Sequence, residues 1–195
     1  YGQPVVKGTT PLMAALDNFN SYIIYMLLSS DANVKLSDEN GLSPILIAAT
    51  KKDTKILSAL VDMGAKVNDM TSSPFVSNGE TVFSGTTPLM AAISNNRDEN
   101  AQFLIDHGAD IKATARNGVD ALMVASANGN EEMVKILLKK GADVNNRTTQ
   151  ELTAKGKTVF IGADALLMAS DGGYTGVVNI LLNARADANA STNNG

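Results

Sequence analysis

Glycine recurs along this chain at two alternating intervals. Gly8, Gly41, Gly85, Gly118, Gly162 and Gly195 stand 33, 44, 33, 44 and 33 residues apart. A segment that returns at a fixed spacing of this size is one supersecondary unit, unable to bury its apolar side alone and covered by the next copy. The longer interval is the shorter one with 11 residues added, so the full period is a pair of units, 77 residues. "SNGETVFSG" (77–85) and "AKGKTVFIG" (154–162) lie one such period apart and share their Gly, Thr-Val-Phe and Gly positions.

The segments after each glycine have the chemistry of paired helices. Thr10, Ser43, Thr87, Asp120 and Asp164 occupy one position of the repeat, and each type can cap a helix N-terminus. Pro11, Pro44 and Pro88 follow, where a missing N–H costs nothing; Ala121 and Ala165 follow the acidic caps. Gly64, Gly108 and Gly141 mark the ends of second helices at a left-handed position. Asp31 and Arg185 stand there in the first and fifth copies and should lower their stability. Hydrophobic residues are 44% of the chain, aromatics 5%, and Trp is absent, so the core must be built from small and aliphatic side chains.

"GTTPLMAAISNNRDENAQFLIDHGADIKA" (85–113) and "GVDALMVASANGNEEMVKILLKKGADVNN" (118–146) resemble the ankyrin-repeat pattern G-x-T-P-L-H-x-A-A … V-V-x-L-L-L-x-x-G-A-D-V-N. The resemblance covers essentially the whole chain. It implies a mainly α fold, an α-solenoid of five helix-turn-helix repeats (8–40, 41–84, 85–117, 118–161, 162–194) with ten helices. The pattern's His is missing from every copy; Met13, Leu46, Met90, Met123 and Leu167 replace it, so the joints are expected to rest on apolar packing.

The 11 extra residues should form extended β-hairpins between repeats two and three and between repeats four and five. Asn78-Gly79 is a strong two-residue turn, and Lys155-Gly156 falls at the equivalent place. Folding about them pairs Ser77 with Glu80, Val76 with Thr81 and Phe75 with Val82; the second set is Ala154–Lys157, Thr153–Thr158 and Leu152–Val159. The excess, shared between two strands, lengthens each arm by roughly five residues. "YGQPVVKG" matches "NGETVFSG", so residues 1–7 read as the remnant of a preceding hairpin. Neither end has the polar face of a capping repeat, and the expectation is a segment of a longer array or ends covered by another molecule.

No active site emerges. "GKT" at Gly156–Thr158 lacks the phosphate loop's earlier glycine, since Glu151 is there, and reads as a hairpin turn. His107, the single histidine, suits a helix C-terminus. Asp and Glu recur as caps and solvent-facing residues without metal-loop or acid–base spacing, and Met13, Met90, Met123 and Met168 are core filler. The sequons at Asn146 and Asn189 matter only in a eukaryotic secretory setting. With no Cys there is no thiolate site. The net charge of −4 without long blocks of one sign gives no footprint for nucleic acid, and no apolar run has the length of a membrane span. Neither enzymatic activity nor a cofactor is expected.

The resemblance implies protein partners, bound in this family on finger tips and first-helix residues. The matching positions are Phe19 and Asn20, Lys52 and Asp53, Asn96 and Arg97, Gly129 and Asn130, Gly173 and Tyr174. Phe75, Asn78, Glu80, Lys155 and Lys157 are the corresponding hairpin residues. Phe19 and Tyr174 are candidate interface anchors, or else pack under neighbouring fingers. The leading expectation is a non-enzymatic protein-protein interaction scaffold. The alternatives are a self-assembling subunit, joined through its ends or finger edges, and a targeting segment of an enzyme.

Overall fold

The computed structural model describes residues 6–193 apart from 78, 79, 155, 156 and 160. Two compact units divide the chain: residues 1–74 with 87–109, and residues 75–86 with 110–195. The first holds three helix pairs: α1 (Pro11–Asp17) with α2 (Ser21–Ser29), α3 (Pro44–Ala49) with α4 (Thr54–Asp62), and α5 (Pro88–Ser94) with α6 (Asp98–Asp106). First helices stack in the order α1, α3, α5, and α4 packs on α6. The second unit holds α7 (Ala121–Ala127) with α8 (Glu131–Lys139) and α9 (Ala165–Asp171) with α10 (Thr175–Asn183). There α7 packs on α9 and α8 on α10. The protein is mainly α, as its sequence pattern requires.

Helices of six to nine residues are marginal alone, so packing must hold them. Leu16, Ile45, Leu57, Leu60, Leu89, Ile93 and Leu104 form the core of the first unit, and Leu122, Met123, Leu137 and Leu181 that of the second; all are fully buried. Each buried aliphatic side chain contributes about 2 kcal/mol against exposure. The repeat position left empty by the missing His is filled by Met13, Leu46 and Met90 in one unit and Met123 in the other, all buried.

Thr10, Thr87, Asp120 and Asp164 accept hydrogen bonds from the amides of Met13, Met90, Met123 and Leu167, as caps should. Ser43 departs from that expectation. Its backbone is extended, but its hydroxyl makes no capping bond and is fully buried, leaving Pro44 to start α3, the shortest helix. All five second helices close alike: the amides of Ala32, Ala65, Ala109, Ala142 and Ala186 donate to the carbonyls of Leu27, Leu60, Leu104, Leu137 and Leu181 at 2.9–3.1 Å. This closure needs a left-handed residue just before the alanine. Gly64, Gly108 and Gly141 supply it without strain, whereas Asp31 (φ 57°) and Arg185 (φ 68°) adopt it with a Cβ.

Both 11-residue insertions pair in the register read from the sequence. β1 (Phe75–Ser77) and β2 (Glu80–Val82) pair antiparallel with Phe75 opposite Val82, Val76 opposite Thr81 and Ser77 opposite Glu80. β3 (Leu152–Ala154) and β4 (Lys157–Val159) set Leu152 opposite Val159, Thr153 opposite Thr158 and Ala154 opposite Lys157. Each ladder is three residues deep, shorter than the expected lengthening of each arm. Inserted residues nearer the base instead tie to the preceding turn: the Ser72 amide donates to the Asn40 carbonyl (2.7 Å) and the Thr149 amide to that of Asn117 (2.8 Å). These two bonds lie one 77-residue period apart. A second set obeys the same period: the amides of Glu39, Arg116 and Asn193 donate to the carbonyls of Lys7, Ser84 and Ile161 at 2.9–3.0 Å. Gly118 permits the approach of residues 147–149 that brings the Thr149 amide to Asn117, since a Cβ there would lie 2.6 Å from the Arg147 oxygen. The turns at Asn78-Gly79 and Lys155-Gly156, and residues 1–5 of the proposed hairpin remnant, lie outside the described residues.

Candidate interaction surface

The turns between first and second helices carry most of the residues singled out from the sequence, and they are built on one plan with one exception. In four of the five, a left-handed residue reverses the chain: Phe19 (φ 51°), Asn96 (φ 53°), Gly129 (φ 69°) and Gly173 (φ 72°). The next amide, of Asn20, Arg97, Asn130 or Tyr174, then returns to the carbonyl of Ala15, Ala92, Ala125 or Ala169 at 2.9–3.1 Å. Asn20 and Asn130 also cap the following helices, accepting from the amides of Ile23 and Met133.

The exception is the α3–α4 turn. Lys52 occupies the left-handed position but does not adopt that conformation, and the Lys51 amide donates to Ala48 instead. Asp53 still caps α4 through the Lys55 amide. The altered turn leaves carbonyls facing α6, where a buried Asn100 meets them. Its Nδ2 donates to the carbonyls of Lys51 (2.8 Å) and Ala49 (3.0 Å) and lies 3.4 Å from that of Ala48; its Oδ1 accepts from the Thr54 hydroxyl (2.8 Å). Arg97 Nε donates to the Thr50 carbonyl at 2.8 Å. Asn100 was not singled out from the sequence. Its signal was there: in register with it stand Ile23, Ile56, Met133 and Val177, all apolar.

The turns are therefore held by side chains of the helix pair that follows. Lys51 Nζ donates to the Asp17 carbonyl (2.8 Å), with the Asp17 carboxylate 3.6 Å away. In the second unit the ring of Tyr174 lies over the α7–α8 turn: a Cβ on Gly129 would stand 2.6 Å from its Cε1, and one on Gly172 2.6 Å from its Cδ2. Arg97 and Tyr174 are thus engaged within the chain. Phe19, Asn20, Lys52 and Asn96 are exposed, and Asp53 and Asn130 half-buried. Phe75 is half-buried on β1; Glu80 and Lys157 stand on β2 and β4 opposite Ser77 and Ala154. Asn78 and Lys155 lie outside the described residues. β2 and β3 run close to one another in the second unit, each within its own two-stranded sheet.

His107 ends α6, with its Nδ1 2.8 Å from the Phe103 carbonyl and its ring stacked on Phe103. Asp120 is the one described carboxyl with a resolved shift: burial pushes it above the usual carboxylate range, opposed by bonds from the Met123 amide and the Asn146 side chain. Asn146 Nδ2 lies 2.7 Å from Asp120 Oδ2 and 3.0 Å from the Gly118 carbonyl. Both groups are consumed in closing a helix start. Among the described residues, no group of three or more His, Asp or Glu is arranged to hold a metal ion, and no helix is long and apolar enough to cross a membrane.

The sequence matches the family described as "Ankyrin repeats (3 copies)" over residues 69–148 and 114–192. An ankyrin repeat protein of Acanthamoeba polyphaga mimivirus is 27% identical over 104 residues, covering 53% of this chain and 12% of its own length. The RelA-associated inhibitor of Mus musculus is 38% identical over 65 residues, 33% of this chain and 8% of that protein. A nuclear factor NF-kappa-B subunit of Gallus gallus is 33% identical over 104 residues, 53% of this chain and 10% of that protein. The chain spans about a tenth of the length of these relatives. With the family's pattern matched across residues 69–192, more than half of the sequence, and realised as stacked helix pairs closed by a shared turn, the chain belongs to the ankyrin-repeat family.

Proposed function

We propose that this chain is a non-enzymatic scaffold that binds a protein partner through its helix–helix turns and hairpins. The carrying observation is a set of exposed side chains on turns whose backbones are already fixed. Phe19 and Asn20 follow a helix whose end is held by Lys51, and Lys52 projects from a turn held by Asn100 and Arg97. Fixing the backbone before binding removes much of the ordering cost of association, so these residues suit recognition. Phe19, Asn20, Lys52, Asp53, Asn96 and Asn130 are the preferred contacts, with Phe75, Asn78, Glu80, Lys155 and Lys157 on the hairpins. Arg97 and Tyr174 serve chiefly to hold the turns. A protein partner is in keeping with the name of one similar protein, which describes association with RelA.

The test is a quantitative pull-down with the wild-type chain, a Phe19→Ser/Lys52→Glu variant, and a Lys135→Ser control on the exposed side of α8. The reading requires a protein bound equally by wild type and control and lost from the turn variant while its circular dichroism is unchanged. An identical bound set for all three would dismiss it.

A further inference from the structure

The two hairpins of the second unit stand one 77-residue period apart and are tied together at their bases. The short turn 114–120, bridged by Thr114 and Asp120, lies between them. Its Arg116 amide donates to the Ser84 carbonyl just after β2 (2.9 Å), and its Asn117 carbonyl accepts from the Thr149 amide shortly before β3 (2.8 Å). The chain thus runs down β2 to this turn and up from it into β3, which makes the two strands antiparallel neighbours. Beyond the turn β2 and β3 run close to one another, yet among the described residues no ladder joins them.

The facing edges match in register. Ser77 and Glu80, like Ala154 and Lys157, flank a two-residue turn and so exchange both main-chain bonds with each other. The middle residues of each ladder therefore direct N–H and C=O out of the hairpin: Thr81 of β2 and Thr153 of β3 towards the other hairpin, Val76 of β1 and Thr158 of β4 away from it. Setting Thr81 opposite Thr153 aligns Glu80 with Ala154 and Val82 with Leu152. Phe75, Val82, Leu152 and Val159 then fall in one unbroken apolar row across four strands. A slip of one residue would set Val82 against Glu151 or Thr153 instead. Ladders three residues deep in separate two-stranded sheets are marginal by themselves, and an open strand edge is a template for pairing.

We propose that the hairpins are a clasp: β2 and β3 zip over the short turn, Thr81 against Thr153, and close the two fingers into one four-stranded sheet. The 11-residue additions at alternate joints give the fingers the reach to meet past the shorter turn between them. The closed sheet makes the hairpin part of the contact surface one wall instead of two fingers. That use rests on the scaffold reading above; the closure itself does not.

The experiment reads amide hydrogen exchange by NMR on the chain alone, so that it needs no partner. In wild type the Thr81 and Thr153 amides should exchange on the order of tenfold or more slowly than those of Val76 and Thr158, which point outward on the outer strands. Thr153→Pro removes the donor that faces β2 and spares the β3–β4 ladder, so it should release the Thr81 amide while Leu152 and Ala154 keep their protection. Cross-linking supplies a second measurement. The chain has no cysteine, so under mild oxidation any bridge comes from an introduced pair. Glu80→Cys/Ala154→Cys should close, because directly opposed residues that do not exchange bonds stand about 4.5 Å apart at Cα. Glu80→Cys/Thr153→Cys, displaced by one residue to the opposite face, should not. Equal exchange at all four amides overturns the proposal, as does equal cross-linking of the two pairs.

Discussion

The side-chain amide of Asn100 reaches the main-chain carbonyl of Lys51 at 2.8 Å, joining α6 to the turn between α3 and α4. In that turn Lys52 does not enter the left-handed region as its counterparts do, and no Asp53 amide returns to the Ala48 carbonyl as the corresponding amides return elsewhere, so Asn100 meets the carbonyls of the turn instead. Asn100 also satisfies Ala49 and the Thr54 hydroxyl, so a polar residue sits in a position the other repeats give to Ile, Met or Val.

Asn100→Ile, which installs the residue found at 23 and 56, should therefore destabilise the chain by about 2–3 kcal/mol, since buried carbonyls and a hydroxyl lose their partners. Adding Lys52→Gly, which allows the turn the other four repeats make, should recover part of that loss. Urea unfolding of both single variants and the double variant measures the coupling; strict additivity would mean the two residues are not linked.

Asn146→Ala bears on the buried Asp120 carboxyl. Burial raises the folded-state pKa of Asp120, and the Asn146 bond opposes that rise. Removing the bond raises it further, so the folded state is penalised wherever Asp120 is ionised. The penalty is full above the raised folded value and fades as pH falls through it towards the unfolded carboxylate value near 4. The variant should be about 1–3 kcal/mol less stable than wild type at neutral pH, with the difference shrinking in acid. Equal losses at pH 7 and pH 4 would show that the bond does not act on the ionised form.

The same arrangement is incomplete one repeat on. Ala190 stands in register with Asn146, and Asp164 Oδ2 is buried with no hydrogen-bond partner among the described residues. Ala190→Asn should supply the missing donor and stabilise the second unit by about 1 kcal/mol in thermal unfolding, an outcome that a lower midpoint would rule out.

Two helix ends hold residues whose side chains disfavour their own backbone. Asp31→Gly and Arg185→Gly remove the Cβ from positions at φ 57° and 68°. Each should raise stability by about 0.5–1 kcal/mol net of the added freedom of the unfolded chain. The gains should add in denaturant unfolding, because the two residues sit in different units.

What the sequence determined by itself is whatever depends on residues close together or on exact repetition. The 33- and 44-residue intervals, the caps at Thr10, Thr87, Asp120 and Asp164, and the glycine helix ends follow from local backbone chemistry. The hairpin registers were legible for the same reason, as two copies of one short insertion agree on which apolar residues face each other. Tertiary structure alone decided how the repeats are tied together. Whether Arg97 and Tyr174 face a partner or hold a turn depends on which carbonyls and which bare glycines the neighbouring repeat presents. Asn100 bonds, at a distance of 49 residues, the carbonyl of a turn that leaves the left-handed plan at Lys52. Ser43 shows the opposite limit: a capping residue by type, it is fully buried at the start of α3 and makes no cap. A local pattern states what a residue can bond; only packing fixes which partners remain within reach.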